Sequence, residues 1–449
     1  MASTFLSTTL GTPTSSRIWT FSTWLKRGGL NSTQHIFSID SGSNRDAFSF
    51  DSDNGLRLYF NGSATGYADL STNRVLRDTS AFYHLVIAVD TTQSTAANRV
   101  KLYINGSQYT WDETTVFGDQ NYDTFNASGN TFRIGRDRTD GNYFDGILAH
   151  THFVDGTQYT ASTFGESDST SGIWTPKTAP SVTYGNNGFF LKFENSGNLD
   201  LDSSGNSRSF TTSGTLTQSV DTPSNNFATL NARSNTSTGF TFANANLSAT
   251  FSSSNWETIQ GSQGINKGKW YYEVKASGLS SGYMMVGWTS VNFMNQSPTN
   301  YVGHGHSEPS YALHYGDGGV YYSTSSANTQ NSSYGVTYTN NDIIGCAIDI
   351  DNGKLYWSKN GTWMNSGVPT SGSTGTGAFS IADTATNYFW NPVISLYNGA
   401  QGMFNFGQGY FGTTQVSSAQ ADDGGVGIME YDVPANYRVL CTKNIKDYG

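Results

Sequence analysis

The chain has 449 residues, of which 36% are hydrophobic, 14% aromatic and only 13% charged, with 50 glycines and a formal net charge of −10. That length holds two or three domains with full cores, and so little charge beside so many aromatics excludes a charged disordered chain and argues for β structure over helix. The acidic balance shows no basic stripe, so nucleic acid is not an expected partner.

The first 17 residues are small and polar and read as an arm or a first edge strand. Residues 17–26, RIWTFSTWLK, place Trp19, Phe21, Thr23 and Leu25 on one face, which predicts a strand buried on the Trp19 side. Short strands are predicted over 35–39, 47–50 and 56–60, split by turn residues at intervals of about ten, the spacing of a sandwich or barrel. Residues 81–106 organise this half. The run 85–89 is unbroken apolar and rich in β-branching, so it calls for burial on both faces. Val100, Leu102 and Ile104 then alternate with Arg99, Lys101 and Tyr103, which predicts a half-solvated partner strand. Asn105 and Gly106 supply the positive φ of a tight reversal. Strands are also predicted over 131–135 and 146–153, around a charged loop at 136–145.

Beyond a Ser/Thr/Asn-rich junction, GKWYYEVK at 268–275 sets Trp270, Tyr272 and Val274 inward and Tyr271, Glu273 and Lys275 outward. A glycine-containing strand is expected at 284–288. A hairpin follows over 341–359, with Ile344, Cys346, Ile348 and Ile350 on one face and Leu355 and Trp357 returning. Asn360-Gly361 turns again, and strands at 393–397 and 403–406 finish the sheet. In the last segment, Ile428 and Val439 are candidates for edge strands, with Pro434 in a turn.

Two resemblances follow from these motifs. WTFSTWLKRG, the 77–106 core RDTSAFYHLVIAVDTTQSTAANRVKLYING and FRIGRDRTDGNYFDGILAHTHFVDGTQYTASTFGE resemble the concanavalin A-like, laminin-G-like jelly-roll modules of bacteriophage structural proteins, over roughly residues 15–231. KGKWYYEV, VGW, IGCAIDIDNGKLYWSKNGTW and FNFG resemble a SPRY domain, a bent β-sandwich used for binding. The expected fold is all-β, with two tandem β-sandwiches: 1–217 laminin-G/concanavalin A-like, 218–247 a junction, 248–410 SPRY-like, and 411–449 a short C-terminal β element.

The first resemblance raises glycoside hydrolysis, which needs two carboxylates flanking the scissile bond. No Glu-x-Asp-x-x-Glu run exists, and Glu113, Glu166 and Glu194 stand alone, so no enzymatic activity and no catalytic residue are expected. Asp137, Asp140 and Asp145 form the weak candidates for calcium, the one cofactor considered; a solvated loop with ion pairs is the competing reading. Asp200, Asp202 and Asn206 resemble a calcium loop without its closing Glu. His150 and His152, and His304 and His306, lie two residues apart, a spacing that binds a transition metal only if a third ligand arrives. Cys346 and Cys441 fit no metal motif and are expected as buried thiols, with their pairing left open.

Tyr301, Tyr311, Tyr315, Tyr321, Tyr322 and Trp363 crowd glycine- and serine-rich connections, and Tyr301, His304, His306, Tyr315, Tyr322 and Trp363 are the candidate ligand-binding residues. Such rings stack on sugars or pack against protein partners; the competing role is completing a core. The expectation is a non-enzymatic virion-surface protein, a capsid decoration or appendage protein presenting lectin-like domains. A tail-fibre adhesin and, behind it, a polysaccharide depolymerase are the alternatives. Expected partners are other virion proteins of capsid or tail, host-surface or environmental glycans, and further copies of the chain. Without a basic, apolar leader or a run of about 20 apolar residues, neither a signal peptide nor membrane insertion is expected.

Overall fold

The computed structural model describes residues 4–449 except 43, 62–67, 112–114, 140, 171, 235–236, 296–299, 305–307, 325–327 and 332. The chain divides into two compact units, Met1–Gln218 and Ser219–Gly449. Each is a pair of antiparallel sheets enclosing its own core, so the all-β tandem sandwich holds.

In the first unit, among the described residues, one sheet has seven strands in the order Thr211–Ser213, Phe5–Thr9, Thr131–Ile134, Gln34–Ser41, Asn44–Phe50, Gly55–Asn61, Ala68–Val75. The other has six: Phe189–Leu191, Gly146–Asp155, Ile18–Arg27, Tyr83–Asp90, Val100–Ile104, Ser107–Gln108. Residues 5–9 form a strand but not the edge expected of them: it pairs with Thr131–Ile134 on one side and with Thr211–Ser213, the actual edge, on the other. Alternation decides the core: Trp19, Phe21 and Leu25 enter it, as do Leu85, Ile87 and Val89 and then Val100, Leu102 and Ile104. Val86 and Ala88 face the other way and are buried too, so the apolar run is sandwiched as its composition requires.

One expectation fails here. The outer face of Val100–Ile104 is not solvated at Tyr103, which is 7% exposed and packs with Val86, Ala88 and Phe164. Residues 157–184 cross over this sheet, and period-two patterning cannot register a cover supplied by a loop. Asn105 (φ 50°) and Gly106 (φ 82°) make the predicted reversal between Ile104 and Ser107. A Cβ at Gly106 would sit 2.9 Å from the Trp174 indole, so the turn also makes room for the cover.

In the second unit one sheet runs Phe240–Ala243, Ser248–Phe251, Gln401–Asn405, Lys269–Ser277, Ile343–Asp349, Lys354–Lys359, Thr362–Trp363, with Phe379–Ser380 off Lys354–Lys359. The facing sheet runs Glu257–Gln260, Trp390–Tyr397, Tyr283–Ser290, Ser310–His314, Val320–Ser323, Asn328–Asn331. Trp270, Tyr272, Val274, Ile344, Cys346, Ile348, Leu355 and Trp357 from the first sheet meet Met284, Val286, Trp288, Tyr311, Leu313 and Ile394 from the second. Asn360 (φ 48°) and Gly361 (φ 79°) repeat the left-handed pair of the first unit's hairpin, so KLYING and KLYWSKNG meet the same turn requirement. Both cysteines are free and buried.

Phe227, Ala228 and Leu230, within the stretch 218–247, are fully buried in this unit. The last segment holds a small hairpin, Tyr410–Phe411 with Thr414–Gln415, and ends in a helix, Thr442–Tyr448. Ile428 makes an isolated bridge to Gln408 and no continuous strand.

Candidate functional site

Four broad sheet faces point away from the two cores, and their chemistry differs. In the first unit, residues 157–184 close the face of the six-stranded sheet. His84, fully buried, stacks on Trp24 at 4.6 Å between centroids and lies 6.0 Å from the Trp174 ring. The Trp174 indole N–H donates to His84 Nδ1 at 3.0 Å, so Nε2 carries the ring proton and donates to Ser22 Oγ at 2.9 Å. A histidine that activates a serine must do the reverse. Burial, with His150 adding to it, holds His84 down at about 3. A bulge between Ala149 and His152 seats His152 and His150 against Phe190, at 3.9 Å and 5.7 Å.

The seven-stranded sheet turns a polar face outward. Arg45 Nε lies 3.0 Å from Asp137 and Arg57 Nη2 2.6 Å from Asp69, and Arg133 pairs with Asp40. Those pairs engage one of the calcium candidates. The Asp137 carboxylate is committed to Arg45 and to the Arg138 N–H at 2.7 Å. Burial pushes the Asp145 carboxyl up, and Asp140 lies outside the described residues. Among the described residues, no group of three or more His, Cys, Asp or Glu side chains is placed to hold a metal ion. Asp202 accepts the N–H groups of Phe190, Ser204 and Arg208, each at 2.9 Å, and so organises its own loop.

In the second unit, the C-terminal segment closes the outer face of the sheet that carries Lys269–Ser277. Tyr271, Ala347 and Tyr356 pack beneath Met429, Tyr437, Val439 and Cys441. Glu273, also on this face and fully buried, accepts the N–H groups of Glu430 and Tyr431, both at 2.9 Å. Burial drives its carboxyl up to about 7 against those hydrogen bonds. The outward alternation of Tyr271 and Glu273 is as the sequence predicts; what they point into is protein.

The fourth face differs from these three. On the outer side of the sheet carrying Tyr283–Ser290, a layer of small and apolar residues, Met285, Val302, Ala312 and Val393, supports a group of half-exposed rings. Tyr283 and Tyr397 are direct cross-strand partners and stack at 5.0 Å and 13°; Tyr315 continues the stack at 5.5 Å from Tyr283. Trp256 sits among Tyr283, Tyr301, His314 and Tyr397, at 6.0, 5.4, 6.3 and 5.7 Å. Tyr301 meets His304 at 4.8 Å and Tyr321 at 5.9 Å. At the rim, Asp317 accepts His314 Nδ1–H and the Tyr321 hydroxyl at 2.9 Å each, and the Gly319 N–H at 2.8 Å. Partial burial pushes the Asp317 carboxyl up, but these three donors outweigh it and hold it below the usual carboxylate range. The Tyr321 phenol is raised to about 12 by burial and by Asp317.

The predicted ligand-binding residues separate into three places. Tyr301, His304 and Tyr315 join the aromatic face. Tyr322 points the opposite way from Tyr321, packs on Tyr311 and Phe379, and lines a shallow groove with Ser333, Asn365 and Ala382. Trp363 rests at the margin of the closed face, 6.2 Å from Tyr271 and 6.3 Å from Tyr356. His306 lies outside the described residues. Sequence reasoning missed Trp256, Tyr283 and Tyr397. The available signal was position: Trp256 stands in a polar SSSN run, and Tyr283 and Tyr397 occupy the ends of two alternating strands.

Comparison with known proteins agrees with this architecture. Residues 3–158 match the concanavalin A-like lectin/glucanases superfamily and residues 269–409 match the SPRY domain. The chain is 31% identical over 153 residues to the ATP-dependent RNA helicase DDX1 of Xenopus laevis, covering 34% of this chain and 17% of the helicase. It is 38% identical over 96 residues to the Ran-binding proteins 9/10 homolog of Drosophila melanogaster, covering 21% of this chain and 9% of that protein. It thus spans only a small part of either relative. A crystal structure of the TRIM65 PSpry domain is similar at 15% identity and a TM-score of 0.29, covering 40% of this chain and 91% of that one. The chain therefore carries a concanavalin A-like region followed by a SPRY domain, and this pairing points to a binding function.

Proposed function

We propose that this chain is a non-enzymatic binding protein that uses the aromatic face of its SPRY domain to hold glycans. The supporting observation is that face itself. Tyr283 is 42% exposed and Trp256, Tyr301, Tyr315, Tyr321 and Tyr397 are partly so; Tyr283, Tyr321 and Tyr397 stand on strands of one sheet, and Trp256, Tyr301 and Tyr321 pack on its layer of small and apolar residues. Rings held this way present apolar surface at little cost in side-chain entropy, the property a weak, repeated contact needs.

The setting that fits the first unit's string of motifs is the surface of a bacteriophage particle, with the chain as a capsid decoration or appendage protein beside other virion proteins. Many copies on one particle would turn weak single sites into firm attachment through effective concentration. The curated relatives named above are eukaryotic and support the domain, not this setting.

The test is a glycan array probed with the full chain and with Trp256→Ala. Binding by the parent and at least ten-fold loss in the variant supports the reading. Binding that is indifferent to Trp256, or no binding at all, overturns it. Immunogold labelling of phage particles tests the setting separately, and labelling confined to the tail would favour the adhesin alternative.

A further inference from the structure

The chemistry around the aromatic face also specifies what kind of glycan it takes. We propose, resting on the reading above, that this face selects uncharged saccharides, with the Trp256 indole as the stacking surface and Asp317 as a hydroxyl acceptor.

The first argument is geometric. Among the described residues, the rings in contact with Trp256 meet it at 40° to 58°, so none of them lies flat on the indole. By contrast Tyr283 and Tyr397 are nearly parallel, at 13°, and cover part of each other. The indole, half-buried and met by these rings only at an angle, is the large ring here on which a flat apolar partner, such as the C–H face of a pyranose, can stack.

The second argument is charge. Among the described residues, each close contact between a Lys or Arg cation and an aromatic ring lies elsewhere, on Phe5, Phe50, Phe82, Phe190 and on Tyr59, Tyr143, Tyr437 and Tyr448. The charge that faces the rings is the Asp317 carboxylate, 36% exposed and held ionised by its donors. An acidic sugar would approach that carboxylate in a chain whose formal net charge is −10. At a separation of a few ångströms in water, like charges cost enough to weaken binding about five-fold, more at low salt.

The third argument is hydrogen bonding. Asp317 receives three donors, His314, Gly319 and Tyr321, and a carboxylate has about four acceptor positions. The position left over accepts one hydroxyl. The surrounding phenols, which donate and accept, match a ligand carrying hydroxyls along its edge. An ammonium group would also satisfy Asp317, but it would leave the hydroxyl-bearing rim unused.

The experiment takes the strongest neutral binder from the array and its C6-oxidised counterpart, which differ only in carboxylate groups. Both are titrated calorimetrically into the full chain and into Asp317→Asn, at low salt and at 0.5 M NaCl. The expected result is about five-fold weaker binding of the oxidised glycan at low salt, narrowing towards two-fold in Asp317→Asn and in high salt. Equal or tighter binding of the oxidised form, an unchanged ratio in Asp317→Asn, or competition by tetramethylammonium chloride overturns the selection while leaving the glycan reading in place. Array hits that all ignore Trp256→Ala would instead remove the reading beneath it.

Discussion

The two outer faces of the second sandwich are built from the same kinds of residue and end in opposite states. On one, Tyr271, Ala347 and Tyr356 lie beneath the C-terminal segment with Met429, Tyr437 and Val439. On the other, Met285, Ala312 and Val393 carry a layer of tyrosines and a tryptophan that stays partly wet. The difference lies in the polar groups. The closed face contains Glu273, whose carboxylate holds the N–H groups of Glu430 and Tyr431. The open face has its carboxylate, Asp317, at the rim, where it holds only neighbours on the same sheet. An apolar face becomes a covered face when a buried acceptor supplies the partners that an irregular covering segment cannot give its own backbone.

This comparison can be broken most forcefully at Glu273. Replacing it by Ala leaves two half-buried N–H groups without this acceptor, so Glu273→Ala should destabilise the second unit by about 3 kcal/mol and render residues 416–441 susceptible to protease. Denaturant melts and limited proteolysis measure both, and a change below about 0.5 kcal/mol would show that the cover does not depend on that acceptor.

Acid should separate the covers of the two units. His84 and His152 are buried and held neutral, His84 at about 3 and His152 well below its ordinary value, both chiefly by burial. The unfolded chain binds those protons first, so the first unit loses stability as pH falls from about 6.5, by up to about 1.4 kcal/mol per pH unit for each histidine. Glu273 has the opposite sign: its carboxyl is raised to about 7, so the folded form binds the proton first and this contribution fades as pH rises from about 4.5 to 7. Hydrogen exchange at pH 7 and pH 5 should show residues 157–184 loosening in acid while residues 416–441 tighten. Parallel changes in both would contradict the assignment.

A smaller effect sharpens the role of Trp174 as the closing residue of the first unit's cover. Gly106→Ala places a Cβ against the indole at a φ of 82°, and should cost about 2 kcal/mol, read as a shift in the denaturation midpoint. The smallest belongs to the open face. Tyr283→Ser should change stability by no more than about 1 kcal/mol, because the ring it removes was 42% exposed. A loss of several kcal/mol would mean that the rings are core and not surface.

Much of the fold was legible in the sequence. The double burial of residues 85–89, the alternating 344–350 strand and the two Asn-Gly reversals all follow from local rules of period and φ, which a sequence states directly. The covers were not legible. Tyr103 and Tyr271 read as outward residues, and both point outward, but the segments that bury them lie some 60 to 165 positions further along the chain. The aromatic face was half legible for a related reason. Tyr301, His304 and Tyr315 announce themselves in loops, whereas Tyr283 and Tyr397 join them only through strand register. Tyr322 and Trp363 share the same composition signal and settle elsewhere: one step along a strand turns Tyr322 to the opposite face from Tyr321, and Trp363 belongs to the other sheet.

The most direct measurement is carbene footprinting of the full chain with and without the strongest array glycan. Protection concentrated at Trp256, Tyr283, Tyr301 and Tyr397, with labelling of Tyr271, Tyr356 and Tyr437 unchanged, is the predicted result. Protection that falls on the C-terminal segment or on the first unit while the aromatic face stays fully labelled would contradict the account.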